Sequence, residues 1–173
     1  MMIDEFNNDS LEDAAPDETA LYKSVQTAAL RLLARREYSS QELTRKLAAR
    51  GHPIAVIKSV LAELTQSDWL NNTRFVTQRI QQRIGQGWGP LRIRQELLTL
   101  GIEKATIDVA LPNMDDPCWI EIIQQLYRKR YGINPPTDAR QWAKCMRFFM
   151  QRGFTAGVIQ CGLRNGLIDD ADN

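Results

Sequence analysis

The sequence repeats itself at an interval of fifty residues, and this repetition limits the possible folds more than any other feature. When the chain is shifted by fifty positions against itself, apolar, aromatic and glycine positions coincide without a gap. The coinciding pairs are Val25 with Phe75, Leu30 with Ile80, Tyr38 with Trp88, Leu43 with Ile93, Leu47 with Leu97, Gly51 with Gly101, Ile57 with Ile107, and Leu61 with Leu111. Such a self-match indicates an internal repeat, which predicts an array of similar units that each contact their neighbours.

The segment 85–101, GQGWGPLRIRQELLTLG, shows how a helix of one unit begins and ends. Pro90 fits the first helical position, because its missing N–H would have no partner there. Ile93 and Leu97 recur at helical spacing, and Gly101 favours the left-handed conformation that ends a helix. The segment therefore predicts a helix of about eleven residues.

The same signals predict three helices in each of three units. The first helix is expected from about Thr19 to Arg36, Ser39 is expected to cap the second helix, and Asn72 is expected to cap the fourth.

In the third unit the pattern is interrupted: Tyr38 precedes Gly51 by thirteen residues, whereas Tyr131 precedes Gly153 by twenty-two, a connection nine residues longer. Beyond it the pattern resumes. We expect an all-α fold of three tandem three-helix repeats that form an elongated, curved array. The predicted boundaries are an acidic flexible arm at 1–18, repeats at 19–70, 71–114 and 115–166, and an acidic tail at 167–173.

The net charge of +1 conceals a segregation of charge along the chain. All 22 Lys and Arg lie between Lys23 and Arg164. Of the 21 Asp and Glu, seven precede Thr19 and three follow Arg164, which leaves eleven, so this interval carries +11. A body this basic predicts an anionic partner, either nucleic acid or the acidic face of a protein, and a well-solvated helical surface is the alternative.

Catalytic signatures are sparse in this sequence. His52 is the single histidine and lies at a helix boundary, and no HExxH, GxSxG or paired-cysteine motif occurs. The three cysteines, Cys118, Cys145 and Cys161, lie in apolar helical patterns, so we expect buried thiols, no metal and a reducing compartment. We expect no enzyme activity and no cofactor. No apolar run is long enough for a membrane span, and the acidic start is unlike a secretory signal, so we expect a cytoplasmic protein.

Arginines occupy positions that the repeat reserves for apolar side chains. In the predicted helix 72–84, Arg79 and Arg83 fall within the apolar arc, where the first unit has Ala29 and Leu33. Arg94 lies in the same way between Leu97 and Leu98. A partly buried arginine needs an internal partner or an external anion. If the partners are internal, these arginines pair with Glu96, Glu103 or Asp108. If the partner is an external anion, the arginines form a cationic groove, which is lined by Arg74, Arg79, Arg83, Arg92 and Arg94 and flanked by Trp88.

Aromatic residues precede the second helix of each unit, at Tyr38, Trp88 and Tyr131. We expect them to pack between helices, and a base-stacking platform is the alternative. A second basic patch lies in the third unit, and we expect it to be a solvent-exposed helix face. It consists of Arg128, Lys129, Arg130, Arg140, Lys144 and Arg147.

Several motifs resemble those of the RecX family of bacterial regulatory proteins. They are 38-YSSQEL-43 with Lys46 and Leu47, 74-RFV-76, 87-GWGP-90 with 92-RIRQEL-97, and 147-RFF-149 with 152-RGF-154, within about residues 20–165. The resemblance implies nine helices in three repeats and a non-catalytic regulator, mainly an inhibitor, of the RecA recombinase. Family members bind in the groove of the RecA–DNA filament and suppress ATPase, strand exchange and coprotease activity, which affects recombination, DNA repair and the SOS response. Some members also bind DNA.

The resemblance implies that basic residues contact the filament, with Arg74, Arg92 and Arg94 central and the basic residues of units one and three as outer contacts. The full predicted set is Arg45, Lys46, Arg74, Arg79, Arg83, Trp88, Arg92, Arg94, Arg128, Lys129, Arg130, Arg140, Lys144 and Arg147. The expected partners are the RecA filament and single- or double-stranded DNA, with the protein itself a monomer. The alternative function is a helical-repeat nucleic-acid-binding module that acts without RecA.

Overall fold

The computed structural model describes residues 18–165, and that part of the chain is helical without a strand. The helices are α1 Glu18–Leu33, α2 Ser40–Ala48, α3 Ile54–Gln66, α4 Asn72–Gly85, α5 Pro90–Thr99, α6 Lys104–Ala110, α7 Cys118–Tyr131, α8 Ala139–Gln151 and α9 Ala156–Asn165. Repeat 1 comprises α1–α3, repeat 2 comprises α4–α6, and repeat 3 comprises α7–α9. The predicted all-α fold of three-helix repeats is confirmed. The acidic arm, apart from Glu18, and the acidic tail lie outside the described residues.

Side-chain caps fix where several helices begin. The Oγ of Ser39 accepts the amide N–H of Glu42 at 3.0 Å and caps α2, as the sequence predicts. Asn71 caps α4 by accepting the N–H of Arg74 at 3.0 Å. The sequence interpretation assigned this cap to Asn72, which is wrong because the side chain of Asn72 instead accepts the N–H of Ser40.

Helix α1 ends at Leu33 rather than at the predicted Arg36. After Leu33 the chain turns, and the guanidinium of Arg36 lies 3.7 Å from the ring centre of Tyr38. Arg36 also donates to Glu42 at 3.0 Å. These contacts require the chain to leave the helix before Arg36, so tertiary packing overrides the apolar periodicity.

Apolar residues form two separate cores. One cluster contains the buried residues of repeat 1, from Val25 to Leu70. The other contains those of repeats 2 and 3, from Phe75 to Leu163, with Trp119, Phe149 and Phe154 among its largest members. Repeats 2 and 3 therefore share one hydrophobic core, whereas repeat 1 has its own.

The glycine that follows each second helix marks where a repeat meets the preceding one. Gly101 and Gly153 adopt φ angles of 75° and 89°. A Cβ on Gly101 would collide with the side chain of Gln41 of repeat 1, and a Cβ on Gly153 would collide with Arg92 of repeat 2. Gly51, at the same position in repeat 1, has no such neighbour within 4 Å. The glycines of repeats 2 and 3 therefore also permit close approach between successive repeats.

The expectation of buried thiols holds for Cys145 and fails for Cys161. Cys145 is buried, Cys118 is partly buried and Cys161 is exposed. On α9 the buried residues Val158, Ile159 and Leu163 define the inner face, and Cys161 lies on the opposite side. The apolar character of the α9 sequence therefore did not indicate the orientation of its cysteine.

Candidate partner-binding surface

The central arginines Arg79 and Arg83 are mostly buried and internally paired. Their side chains are 14% and 18% exposed, as their position in the apolar arc of α4 predicts. Arg83 donates to both carboxylate oxygens of Glu96 on α5, at 2.6 and 2.5 Å. These hydrogen bonds raise the pKa of Arg83 above its usual range. Arg79 lies 3.8 Å from both Glu42 and Glu96. The pairing interpretation is confirmed for these two arginines.

Two further arginines of the predicted groove also have carboxylate partners. Arg94 pairs with Asp108 of α6, and its Nε is buried without a hydrogen-bond partner among the described residues. Arg74 pairs with Glu37 and with Asp68, the latter at 3.2 Å. The hydrogen bond to Glu37 raises the pKa of Arg74. The pairing interpretation is therefore confirmed for Arg94 as well, and Arg74 pairs with two carboxylates of its own chain.

Arg92 differs from the other arginines of repeat 2. Its guanidinium carbon lies 3.8 Å from the ring centre of Trp88, and the side chain is exposed. Arg83 contacts the same ring at 4.4 Å. Among residues 18–165, no carboxylate lies within ion-pair distance of Arg92. The partly buried Trp88 thus positions a cation that no described carboxylate neutralises, by a cation–π contact worth about 0.5–1 kcal/mol.

Repeat 3 contains a second cation–aromatic group. Arg130 lies 4.4 Å from the ring centre of Phe148, and Arg152 lies 4.7 Å from the same centre. Lys144 lies 5.9 Å from the ring centre of Tyr131, whose ring packs edge-on against Phe148. No described carboxylate is within ion-pair distance of these three cations. Tyr131 and Phe148 therefore hold basic groups that remain available to an external anion.

The other predicted basic residues lie on the exposed surface of repeats 1 and 3. Arg45 donates to Gln41 and to the carbonyl of Thr99, and Lys46 lies 5.9 Å from the ring centre of Tyr38. The remaining exposed members are Arg128, Lys129, Arg140 and Arg147. Of the five arginines predicted to line the groove of repeat 2, Arg74, Arg79, Arg83 and Arg94 each pair with a carboxylate of the chain.

Sequence reasoning missed two arginines that belong to the cation–aromatic contacts. Arg36 stacks on Tyr38, and Arg152 contacts Phe148 while its Nη1 donates to the carbonyls of Gln86 and Gly87, at 3.0 and 3.2 Å. These carbonyls lie just beyond the end of α4, where a cation is favoured by the helix dipole. The signal that could have indicated Arg152 is its place directly before the repeat glycine Gly153.

The arrangement is suited to binding anions by charge and hydrogen bonding. Within the described part of the chain, no three His, Cys, Asp or Glu side chains are grouped so as to hold a metal ion. No helix between residues 18 and 165 is long and apolar enough to cross a membrane. The surface carries a set of arginine and lysine groups supported by Trp88, Tyr131 and Phe148.

Comparison with known proteins gives consistent matches along most of the described chain. Family models described as the first, second and third three-helix domains of RecX match residues 27–64, 71–111 and 120–162. A protein named Regulatory protein RecX from Xanthomonas axonopodis pv. citri is 39% identical over 141 residues, which cover 82% of this chain and 86% of that protein. One of the same name from Pseudomonas fluorescens is 37% identical over 147 residues, covering 85% and 94%.

Similarity in three dimensions supports the same assignment of the fold. The crystal structure of RecX from Lactobacillus salivarius superposes with a TM-score of 0.73 at 18% identity, covering 86% of this chain and 97% of that one. Three successive domain matches, two relatives above one-third identity and the common three-repeat fold together show that this chain belongs to the RecX family of regulatory proteins.

Proposed function

We propose that this protein is a non-catalytic regulator, mainly an inhibitor, of the RecA recombinase. It binds in the groove of the RecA–DNA filament and suppresses ATPase, strand exchange and coprotease activity. Through these effects it modulates homologous recombination, DNA repair and the SOS response in the cytoplasm. Its membership of a family of regulatory proteins and its basic body, at +11 between Lys23 and Arg164, support this proposal.

The observation that carries the proposal is the set of cations that are held on aromatic rings and have no carboxylate partner among residues 18–165. Arg92 on Trp88, and Arg130 and Lys144 beside Phe148 and Tyr131, are positioned by cation–π contacts. An ion-paired arginine must give up its carboxylate before it binds an external anion, whereas these groups need no such exchange. We therefore assign the main filament contacts to Arg92, Arg130 and Lys144, and secondary contacts to the other predicted basic residues.

The repeat architecture also favours a filament as partner. A filament presents the same surface at regular intervals, and an array of three similar units can contact several of these surfaces at once. Several weak contacts joined in one chain bind more tightly than any one of them alone. Inhibition then follows from occupation of the groove, which opposes the rearrangement that accompanies ATP turnover.

The test measures the single-stranded-DNA-stimulated ATPase of the cognate RecA in the presence of wild-type protein and two variants. The first variant is Arg92→Glu/Lys144→Glu, which reverses two cations held on aromatic rings. The matched control is Lys58→Glu/Lys104→Glu, which changes the net charge equally at exposed positions away from those rings. We expect the first variant to require at least about tenfold more protein for the same inhibition, and the control to inhibit nearly as well as wild type.

Two outcomes would contradict the proposal. If saturating wild-type protein leaves RecA turnover unchanged at low salt, the regulatory function is wrong. If both variants inhibit as wild type does, the assignment of the contacts to Arg92 and Lys144 is wrong.

Nucleic-acid binding without RecA is the second candidate, because the same ring-supported cations suit phosphate groups. Titration of a naked oligonucleotide at two salt concentrations distinguishes the candidates. Tight binding with a steep salt dependence would favour the nucleic-acid-binding module, and weak binding without the filament would favour the regulator.

A further inference from the structure

The interface between repeats 1 and 2 is built differently from the interface between repeats 2 and 3. Repeats 2 and 3 share one cluster of buried apolar residues, to which Trp88 and Leu126 add partly buried contacts. The buried apolar residues of repeat 1 form a cluster of their own. No hydrophobic core therefore crosses the repeat 1–2 interface in the described part of the chain. Interfaces within a chain that lack a large apolar contact permit relative motion of the parts.

Backbone hydrogen bonds fasten repeat 3 to repeat 2. The N–H of Gly89 donates to the carbonyl of Arg152 at 2.7 Å, and the N–H of Leu91 donates to the carbonyl of Gly153 at 3.0 Å. The side chain of Arg152 adds bonds to the carbonyls of Gln86 and Gly87. Together with the shared core, these bonds join repeats 2 and 3 more extensively than repeats 1 and 2 are joined.

Every hydrogen bond that we find across the repeat 1–2 interface uses at least one side chain. The Oγ of Ser39 donates to the carbonyl of Leu100 at 2.9 Å. The N–H of Ser40 donates to the side-chain oxygen of Asn72 at 3.1 Å. Arg45 donates to the carbonyl of Thr99 at 3.3 Å. The bonds of Ser40 and Arg45 are exposed and break at lower cost than a core, because water replaces the lost partners, whereas the bond of Ser39 is buried.

A chain of alternating charges crosses the same interface. Arg36 pairs with Glu42 at 3.0 Å in repeat 1, and Glu42 lies 3.8 Å from Arg79 of repeat 2. Arg79 lies 3.8 Å from Glu96, which pairs closely with Arg83 at 2.5 Å. The two long contacts of Arg79 are the weakest in this ion-pair chain, and its contact with Glu42 is the step of this chain that joins the repeats. Arg74 and Glu37 form a separate ion pair between the repeats.

A solvent-open pocket of about 350 Å³ lies beside the ion-pair chain. It is lined by residues of both repeats, namely Arg36, Glu37, Phe75, Gln78, Arg79 and Gln82. The connection between the repeats, 67–71, contains Asp68 at φ 59°. Asp68 is the one described non-glycine residue with a positive φ, and Arg74 binds both it and Glu37. The pocket thus leaves space for repeat 1 to move relative to repeat 2, and the short, irregular connection 67–71 can act as the hinge.

We propose that repeat 1 pivots about residues 67–71 relative to a rigid body formed by repeats 2 and 3. The ion-pair chain Arg36–Glu42–Arg79–Glu96–Arg83 holds repeat 1 in the position that the structure shows. Four of the five side chains in this ion-pair chain are less than one-fifth exposed, so salt screens them less than it screens surface pairs. Rising ionic strength therefore loosens the repeat 1–2 interface slightly and spares the apolar core of the repeat 2–3 interface. The pivot lets the ends of the array adjust to binding sites of different spacing. It does not depend on the partner proposed above.

The test measures distances between spin labels by pulsed electron paramagnetic resonance on the full chain. One pair joins Ser59→Cys in α3 of repeat 1 to the exposed native Cys161 in α9. The control pair joins Ala105→Cys in α6 of repeat 2 to the same Cys161, so that both labels lie in the rigid body. Both proteins carry Cys118→Ser, and Cys145 is buried and escapes labelling.

We expect the distance distribution of the 59–161 pair to be about twice as broad as that of the 105–161 pair, and to broaden further when salt rises from about 0.05 to 1 M. Arg79→Gln should broaden the 59–161 distribution at low salt. Arg94→Gln is the matched control, since it breaks the pair with Asp108 inside repeat 2, and it should leave that distribution unchanged.

A 59–161 distribution as narrow as the control at both salt concentrations would overturn the pivot. A broad distribution that neither salt nor Arg79→Gln alters would overturn the role of the ion-pair chain. Neither result bears on RecA, so the failure of this inference and the failure of the proposed function are separate outcomes.

Discussion

The hydroxyl of Ser39 donates to the backbone carbonyl of Leu100, 61 residues later in the chain, at 2.9 Å. The same oxygen accepts the N–H of Glu42 at 3.0 Å and so caps α2. Ser39 is 1% exposed and is the one buried polar residue found among residues 18–165. One hydroxyl therefore both starts a helix of repeat 1 and satisfies a carbonyl at the end of α5 in repeat 2.

Replacing Ser39 by Ala should destabilise the protein through both bonds. The substitution removes the cap of α2 and leaves the carbonyl of Leu100 without this partner, at a combined cost of about 2 kcal/mol in the free energy of unfolding. Urea denaturation followed by circular dichroism measures the effect. Ser59→Ala is the matched control, because the Ser59 hydroxyl is exposed and bonds only to Ala55 of its own helix at 3.3 Å. It should change stability by less than about 0.5 kcal/mol, and an equal loss in both variants would contradict the double role of Ser39.

The glycines around Trp88 should differ sharply in their tolerance of alanine. A Cβ on Gly89 would lie 2.5 Å from the backbone of Gly153, so the two repeats would have to separate. We expect Gly89→Ala to cost about 2–3 kcal/mol in the free energy of unfolding. Gly85 is the control, because it is helical and its Cβ would have no neighbour within 4 Å. Gly85→Ala should stabilise the protein by about 0.5–1 kcal/mol, and equal urea midpoints for the two variants would refute the close approach.

The sequence predicted the helices well because their signals are local. Apolar spacing, the cap at Ser39 and the glycine after each second helix all act within a few residues. The errors arose where distant contacts decide the outcome. Helix α1 stops at Leu33 because Arg36 turns toward Tyr38 and Glu42, and the local pattern gives no sign of these contacts.

The candidate surface was predictable only in part. The sequence placed Arg79 and Arg83 within an apolar arc, and their burial confirms this. The sequence did not show whether these two arginines are neutralised by carboxylates of the same chain or by a partner, because the position of Glu96 depends on how α5 packs against α4. The contact of Arg152 with the carbonyls of Gln86 and Gly87 spans more than sixty residues, and no periodicity could indicate it.

The pair between Arg83 and Glu96 should contribute more to stability than an exposed pair of the same type. Both side chains are less than one-fifth exposed, and two hydrogen bonds join them. A double-mutant cycle with Arg83→Met and Glu96→Gln should give a coupling energy of about 1–2 kcal/mol. The comparison is Arg36→Met with Glu42→Gln, in which the arginine is 40% exposed, and for which we expect about 0.2–1 kcal/mol. Equal coupling energies would mean that burial adds nothing to the Arg83–Glu96 pair.

The three thiols should react in an order set by burial and charge. Burial, followed by the hydrogen bond to Asp116, raises the pKa of Cys118 to about 12. At pH 8 only about one Cys118 in ten thousand is then the reactive thiolate. Burial also raises the pKa of Cys145, whereas Cys161 is exposed on α9.

Brief treatment with iodoacetamide at pH 8, followed by peptide mass spectrometry, should show modification mainly at Cys161. Treatment of the urea-unfolded chain is the control and should modify all three at similar rates. Rapid modification of Cys118 in the folded protein would show that α7 does not shield this thiol beside Asp116.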